Sequence, residues 1–271
     1  FFIDDKPDLP RVMSTLRDPN SLAAYLLLPL IGSVYMIATN FKKPRLIGGI
    51  KRGRVVAITL LISMAVFLTF SRSGYIGVVA GLVTILSIVK GEWTLLSIKK
   101  YKYILAVLIV LGGFAFIKAK DTYLVQNFVF HADEQTIQTD PNELRVELAQ
   151  KVSDEILETP KGHGPGTAGI VSINNKVEGV LTENYYLQIF YEVGWIGGMI
   201  FISICVLLAK KLWQQRRDPL SGVLFATFIG YIPLSLLNHL WTNEAVALQF
   251  WLLSGMAIAT VSAPKTIRQK T

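Results

Sequence analysis

Charge is scarce in this sequence. Lys, Arg, Asp and Glu supply 17% of the residues against 52% hydrophobic, and mean hydropathy is +0.45. Soluble domains carry about a quarter charged residues, so an ordinary soluble domain is excluded and a membrane is indicated. Cysteine is nearly absent. Cys205 stands alone inside an apolar run, so no disulfide framework can form. The chain has no initiator Met and no basic segment leading into a short apolar core, so it lacks a signal-peptide pattern. Phe1-Phe2-Ile3-Asp4-Asp5 reads as the tail of an extracytoplasmic loop, and the chain as the C-terminal part of a longer protein. There is no internal repeat, low-complexity tract or coiled-coil seam. Neither a metal nor a cofactor is expected.

The apolar residues lie in long runs. No charge interrupts Ser21–Ala38, Val55–Phe70, Tyr75–Val89, Ile104–Ile117, Val193–Ala209, Leu220–Leu237 or Ala245–Ser262. A helix needs about 20 residues to cross the hydrocarbon core. Several runs reach that length only with their polar flanks, and Ile104–Ile117 is the shortest. In lipid the backbone must satisfy its own hydrogen bonds, so these segments are expected as helices. The expected fold is an all-α membrane protein of about seven transmembrane helices. It divides into residues 1–117 with four spans, an extracytoplasmic loop over residues 118–191, and residues 192–271 with three spans and a cytoplasmic tail.

Orientation follows from the distribution of charge. Lys42–Arg54, Lys90–Lys102, Lys210–Arg217 and Lys265–Lys270 hold 17 of the 27 basic residues, with only Glu92 and the adjoining Asp218 among the 19 acids. With seven spans these basic segments all fall on one side, and the positive-inside rule makes that side cytoplasmic. The pI of 9.5 therefore reflects topology and contact with anionic membrane lipids, not nucleic-acid binding. Residues 1–20, 71–74, 118–191 and 238–244 face outward. Chemistry belongs there.

Within the long loop, Asp140-Pro141-Asn142-Glu143 supplies a helix start. Leu144, Leu148, Val152 and Ile156 then recur every four residues, and Thr159-Pro160 ends the run. Lys161-Gly162-His163-Gly164-Pro165-Gly166 is too rich in glycine for helix or strand. Thr182 is expected to cap a last helix running unbroken from Glu183 to near Ala209.

Four features are candidates for chemistry. Ser71-Arg72-Ser73-Gly74 joins two spans with too few residues for two full crossings, which draws Arg72 toward the hydrocarbon. A charge at that depth is expensive and is a functional candidate, unless it merely snorkels to lipid phosphate. Arg145, one residue past the apolar stripe, taken alone is a surface arginine. Gly162–Gly166 offers bare N–H groups to a phosphate or sugar, or is a plain turn; without a Lys-Ser/Thr ending it is no P-loop. Glu183-Asn184 opens a membrane helix. Glu183 lies on a face with Leu187, Phe190 and Gly194, beside a polar edge of Asn184 and Gln188. Its carboxylate is either a helix cap or a general base for a hydroxyl substrate.

These segments resemble a known family. Arg17-Asp18-Pro19-Asn20-Ser21-Leu22-Ala23 is similar to its PN-x-LA span start, and Phe70-Ser71-Arg72-Ser73-Gly74 to its SRS/G hairpin. Arg145 followed by Pro160-Lys161-Gly162-His163-Gly164-Pro165-Gly166 resembles its R…P-x-G-x-G-x-G segment. Glu183-Asn184-Tyr185-Tyr186-Leu187-Gln188 with Glu192-Val193-Gly194-Trp195-Ile196-Gly197 resembles its (H/E)N-x-YL…(E)-x-G-x-x-G segment. The family is that of the O-antigen ligases and O-antigen polymerases, bacterial enzymes acting on polyprenyl-linked glycans. The resemblance runs from about Arg17 to Gly198.

It implies glycosyl transfer at the outer face of the bacterial cytoplasmic (inner) membrane. The donor would be a glycan on undecaprenyl diphosphate, and the acceptor a hydroxyl of another glycan or glycolipid. Arg72 and Arg145 would contact the diphosphate, since guanidinium stays charged and binds phosphate oxygens bidentately. Glu183 would be the base, with His163 and His239 as weaker substitutes. Arg17, Asn20, Gly162, His163, Gly164, Gly166, Asn184, Tyr186 and Gln188 would line the substrates. Ligases of the family often carry His where Glu183 stands, so the sequence is closer to the polymerases. Polymerisation of lipid-linked repeat units is expected, with ligation of finished glycan as the alternative. A lipid-linked sugar transporter is the rival of another class. It would place charges at mid-span and show repeats, and neither is found here. A structural scaffold would leave Arg72 unexplained.

Overall fold

The computed structural model describes residues 12, 14–16, 18–39, 50–91, 141–169, 172, 179, 180 and 182–262. The expected span Ile104–Ile117, the loop up to residue 140, Arg17 and the basic segment Lys265–Lys270 lie outside the described residues.

The described chain forms helices α1 (Pro19–Thr39), α2 (Arg52–Leu68), α3 (Arg72–Lys90), α4 (Pro141–Glu158), α5 (Tyr185–Gln214), α6 (Pro219–Leu237) and α7 (Glu244–Ser262). Short 3₁₀ turns occupy Ser14–Leu16 and Leu240–Thr242. Among the described residues there is no strand, only a parallel bridge between Ala168 and Val180. Helices α1, α3, α5 and α6 are long and apolar enough to cross a membrane; α2 and the apolar part of α7 (Glu244–Thr260) are shorter. Large apolar side chains point outward, with Ile196 79% and Leu61 70% exposed, as a lipid-facing surface requires and a soluble one avoids. The protein is a multi-pass membrane protein.

Helices α1, α3 and α6 form the centre of the bundle. Small residues set their spacing. A Cβ on Gly77 of α3 would lie 2.8 Å from the carbonyl oxygen of Gly230 on α6, so glycine permits a close backbone approach there. Tyr231 of α6 is fully buried; its hydroxyl donates to the Ala24 carbonyl at 3.1 Å, and its ring meets Trp241 and Phe250 edge-on.

Hydrogen bonds tie the starts of α1, α3 and α5 to the ends of α2 and α6. The starts of α1, α3 and α5 and the ends of α2 and α6 therefore meet at one end, the site end. Cross-links between them include Val12 N–H to the Leu68 carbonyl (3.1 Å) and Asn238 Nδ2 to Ser73 Oγ (2.6 Å). Lys51, Arg52, Arg54, Lys90, Lys210, Lys211, Arg216 and Arg217 belong to the opposite end. This segregation of charge is the pattern that the positive-inside expectation requires.

Helix α4 lies against the first turns of α5. Val152 and Ile156 from its expected apolar stripe are buried with Ala168, Val180 and Tyr191. Two expectations are corrected here. Thr182 does not cap α5: Asn184 does, its Oδ1 accepting from the N–H groups of Tyr186 (2.9 Å) and Leu187 (3.2 Å), while Thr182 Oγ1 accepts from Asn184 N–H (3.2 Å). Both residue types cap well, and the chain turns one residue pair later than the pattern suggests. Nor is α5 unbroken, because Gly194 has φ 69° and ψ −175° and kinks it.

Cysteines at Lys51 and Lys161, both exposed positions, test the orientation; native Cys205 is buried and stays silent. A membrane-impermeant thiol reagent should label Lys161→Cys in intact cells and Lys51→Cys only after permeabilisation. The reverse pattern would invert the topology.

Candidate functional site

Two polar clusters occupy the site end. The first surrounds the α2–α3 hairpin. Thr69 and Phe70 make the turn, with Phe70 at φ 47°, and Ser71 caps α3 by accepting from Gly74 N–H at 3.1 Å. Ser71 Oγ also donates to Asn20 Oδ1 (2.7 Å) and lies 3.2 Å from Ser73 Oγ, which accepts from Asn238. Asp18 caps α1 through the N–H groups of Asn20 and Ser21. Ser71 and Ser73 are buried while Arg72 between them is exposed at the first position of α3. The serines fix the hairpin in the bundle, and the guanidinium stands at its rim.

The second cluster is built from α4, the glycine segment and the start of α5. Gly162, Gly164, Gly166 and Gly169 all have positive φ, the left-handed conformation that glycine tolerates. The segment is clamped to α5 by backbone bonds. His163 N–H donates to the Tyr191 carbonyl (2.9 Å), Gly164 N–H to the Glu192 carbonyl (2.9 Å), and Trp195 N–H to the Pro160 carbonyl (3.0 Å). The kink at Gly194 lets the chains approach, since a Cβ there would strike the Pro160 carbonyl. Nothing lies within 4 Å of where a Cβ on Gly164 would be, so there is free space beside it, but the N–H groups of Gly162, His163 and Gly164 are all bonded within the fold, which corrects the expectation of bare donors there. His163 is exposed and stacked on Tyr191, with ring centroids 4.0 Å apart.

Arg145 Nε pairs with Glu183 Oε2 at 2.6 Å, both side chains nearly half exposed. Exposed pairs contribute about 0–1 kcal/mol, so this one matters as an arrangement more than as a staple. Gln188, on the turn of α5 below, is only 2% exposed. Its Nε2 donates to the Ala168 carbonyl (3.3 Å) and to Glu192 Oε1 (3.2 Å), and its Oε1 meets His239 Nδ1 at 2.9 Å. Glu192 Oε1 also accepts from Ala168 N–H at 3.3 Å. Burial pushes the His239 imidazole below its ordinary pKa, against smaller raising pulls from Glu183 and Asp18.

The clusters join at Asn238 and His239, consecutive in the chain, one bonded to Ser73 and the other to Gln188. The structure thus brings together Asn20, Arg145, Gly162, His163, Gly164, Gly166, Glu183, Asn184, Tyr186 and Gln188 around the site end, with Arg72 on the hairpin. Three of these are engaged by the fold itself, the first being Asn20, whose Oδ1 accepts from Ser71 Oγ. Asn184 Oδ1 is spent on the helix cap, and Gln188 is buried with both amide ends engaged, so Gln188 is withdrawn as a substrate contact. Glu192 and Asp18 stood within the quoted motifs without a role, and Asn238 was not singled out by the sequence. The i,i+4 spacing of Gln188 and Glu192 was the available signal for the first; nothing local connects Asn238 to Ser73. Among the described residues no group of His, Cys, Asp and Glu could hold a metal ion.

Gly194→Ala should unseat the glycine segment. Its backbone conformation is one that only glycine adopts freely, so the substitution should cost about 1–3 kcal/mol and lower the melting temperature in detergent. An unchanged melting temperature would show that the clamp on α5 contributes nothing.

Residues 57–202, more than half of the chain, match the family model described as O-antigen ligase. No curated protein and no solved structure matches.

Proposed function

Because the chain belongs to the O-antigen ligase family, with an O-antigen ligase-type function in glycan biosynthesis, we propose that it transfers glycan from a polyprenyl diphosphate, undecaprenyl diphosphate in bacteria, to a sugar hydroxyl at the outer face of the inner membrane. The reaction proposed is polymerisation of lipid-linked repeat units. The observation that carries this reading is the Arg145–Glu183 pair, at the end of the bundle where the Arg72 hairpin also stands.

The acceptor oxygen attacks the anomeric carbon, and the bond from that carbon to the phosphate oxygen breaks. Negative charge grows on the diphosphate as it leaves, at headgroup depth, where a guanidinium stabilises it with little competition from bulk water. Glu183 engages Nε of Arg145, which leaves the two terminal nitrogens of the fork for phosphate oxygens. Arg72 supplies a second guanidinium from α3. The free space beside the Gly164 Cα and the exposed ring of His163 suit a sugar's packing face, the Gly164 N–H and carbonyl being held by Glu192 and Thr167.

The sequence pattern favours Glu183 as the base. Its pairing with Arg145 favours a different task, because a proton on Glu183 would dissolve the pair just when Arg145 is needed at the leaving diphosphate. Glu183 is therefore read as the residue that orients Arg145.

Arg72→Lys keeps the charge but loses the planar two-pronged donor. Transfer by purified enzyme should fall at least about tenfold, the loss expected for one charge-assisted hydrogen bond, with membrane insertion unchanged. Wild-type turnover in that variant would make Arg72 a lipid anchor.

Glu183→Gln separates the two roles of the carboxylate. As partner of Arg145, Gln should weaken use of the lipid-linked donor by about tenfold and leave the acid side of the pH–rate profile in place. A loss of about 10²–10⁴-fold with that acid side abolished would restore Glu183 as the base. Products are resolved by chain length. Long chains from repeat units support polymerisation, whereas a single transfer of finished glycan to a lipid or protein acceptor would make the protein a ligase.

A further inference from the structure

The acceptor hydroxyl must give up its proton, and we infer that His239 takes it on Nε2, acting as the catalytic base with Gln188 fixing its tautomer. This rests on the glycosyl-transfer reading and goes beyond it.

A backbone carbonyl only accepts hydrogen bonds, so the end of Gln188 that meets the Ala168 carbonyl must be its NH₂. The same NH₂ donates to Glu192 Oε1, and Glu192 is held in turn by Ala168 N–H. The amide oxygen therefore faces His239 Nδ1 at 2.9 Å. An oxygen there accepts, so Nδ1 carries the hydrogen, and in the neutral ring Nε2 carries the lone pair. Gly169, at φ 69°, closes the arrangement: a Cβ at that position would lie 3.1 Å from His239 Cε1 and 2.9 Å from Gln188 Oε1. The ring is thus aimed by a buried network rather than by one contact.

Protonation state agrees with geometry. Burial lowers the imidazole pKa below its ordinary value, so the ring is neutral near pH 7 and able to accept. The charged groups around it come from three elements. Asp18 precedes α1, Glu183 precedes α5 and is shared with Arg145 of α4, and Glu192 acts through Gln188. Once Nε2 has taken the proton, the fields of Asp18 and Glu183 stabilise the imidazolium. In the step itself the acceptor O–H bond breaks toward Nε2. The oxygen's electron pair forms the bond to the anomeric carbon, and the pair of the broken carbon–oxygen bond leaves with the diphosphate. The proton then passes to solvent.

Gln188 and Glu192 are positioning residues. Their role predicts an effect on the tautomer that a merely structural contact would not produce.

The test uses the full chain in nanodiscs with ¹⁵N-labelled histidine. Three histidines give three ring signals, and His239→Gln assigns the one that matters. Two-bond proton–nitrogen correlations should show the Nδ1–H tautomer at pH 7, and Gln188→Met should convert it to a mixture. With lipid-linked repeat units as donor, wild-type turnover should fall as pH drops through a value below that of ordinary imidazole. His239→Gln should lose about 10²–10⁴-fold in turnover, the usual contribution of a general base, and its acid limb should vanish. Gln188→Met should lose less and keep the limb. An Nε2–H tautomer in the wild type, or a His239→Gln protein with wild-type turnover and an intact acid limb, overturns the assignment. If His239→Gln does not fold, the tautomer of the wild type and the limb in Gln188→Met decide alone. A folded wild type that shows the Nδ1–H tautomer but moves no glycan would instead bring down the glycosyl-transfer reading, and the base role with it.

Discussion

Polar side chains buried between helices cannot lean on water, so they must find partners in the protein. Here that constraint falls on Asn238 and His239. Asn238 bonds to Ser73 of the hairpin and His239 to Gln188 of α5, so a single turn after α6 ties α1, α3 and α5 into one frame. Everything proposed for the site depends on this frame. Ser71 and Ser73 seat the residue between them, Arg72, at the rim, and Gln188 passes the order of the glycine segment on to an imidazole. A backbone clamp does the rest. Three main-chain bonds from residues 163, 164 and 195 hold the segment on the kinked start of α5, where no side chain need be spent.

The spans were readable because the physics that forms them is local. A run without charge, long enough for the hydrocarbon, has few options besides a helix, and α1, α3, α5 and α6 appear where such runs lie. Helix α4 was readable for a similar reason: Pro141 opens it, and the stripe that includes Val152 and Ile156 can only be buried on one face. What failed were choices made by contact. Thr182 and Asn184 are both good caps, and only the docking of the preceding chain selects Asn184. Gly194 sits in an apolar run that reads as continuous helix. The break arises because Pro160 and Lys161 press against it from a segment more than thirty residues earlier.

The site was legible as a set of residues and illegible as a set of roles. Family motifs pointed to Arg72, Arg145 and Glu183 as a group, but no spacing reveals that Arg145 and Glu183 pair with each other. Gln188 read as a polar edge beside the substrate. It is instead buried, because Ala168, Glu192 and His239 absorb its whole amide. A residue in a site motif is therefore not always a substrate contact, and this one turns a distant histidine into a directed group.

Charge balance gives these roles a common logic. Without donor, Glu183 offsets Arg145, so the guanidinium is held in place by a carboxylate before the diphosphate arrives. In the proposed reaction the diphosphate brings negative charge to the terminal nitrogens of Arg145 while Glu183 still holds Nε. A carboxylate that had to pick up a proton in the same step would loosen that grip as the leaving group's charge peaked. An imidazole has no such conflict. It begins neutral, and on taking the proton it becomes a cation near two carboxylates, so its stabilisation rises in step with the charge on the diphosphate. Dividing the work between an arginine held by a carboxylate and an imidazole held by an amide keeps each group in the charge state its task needs.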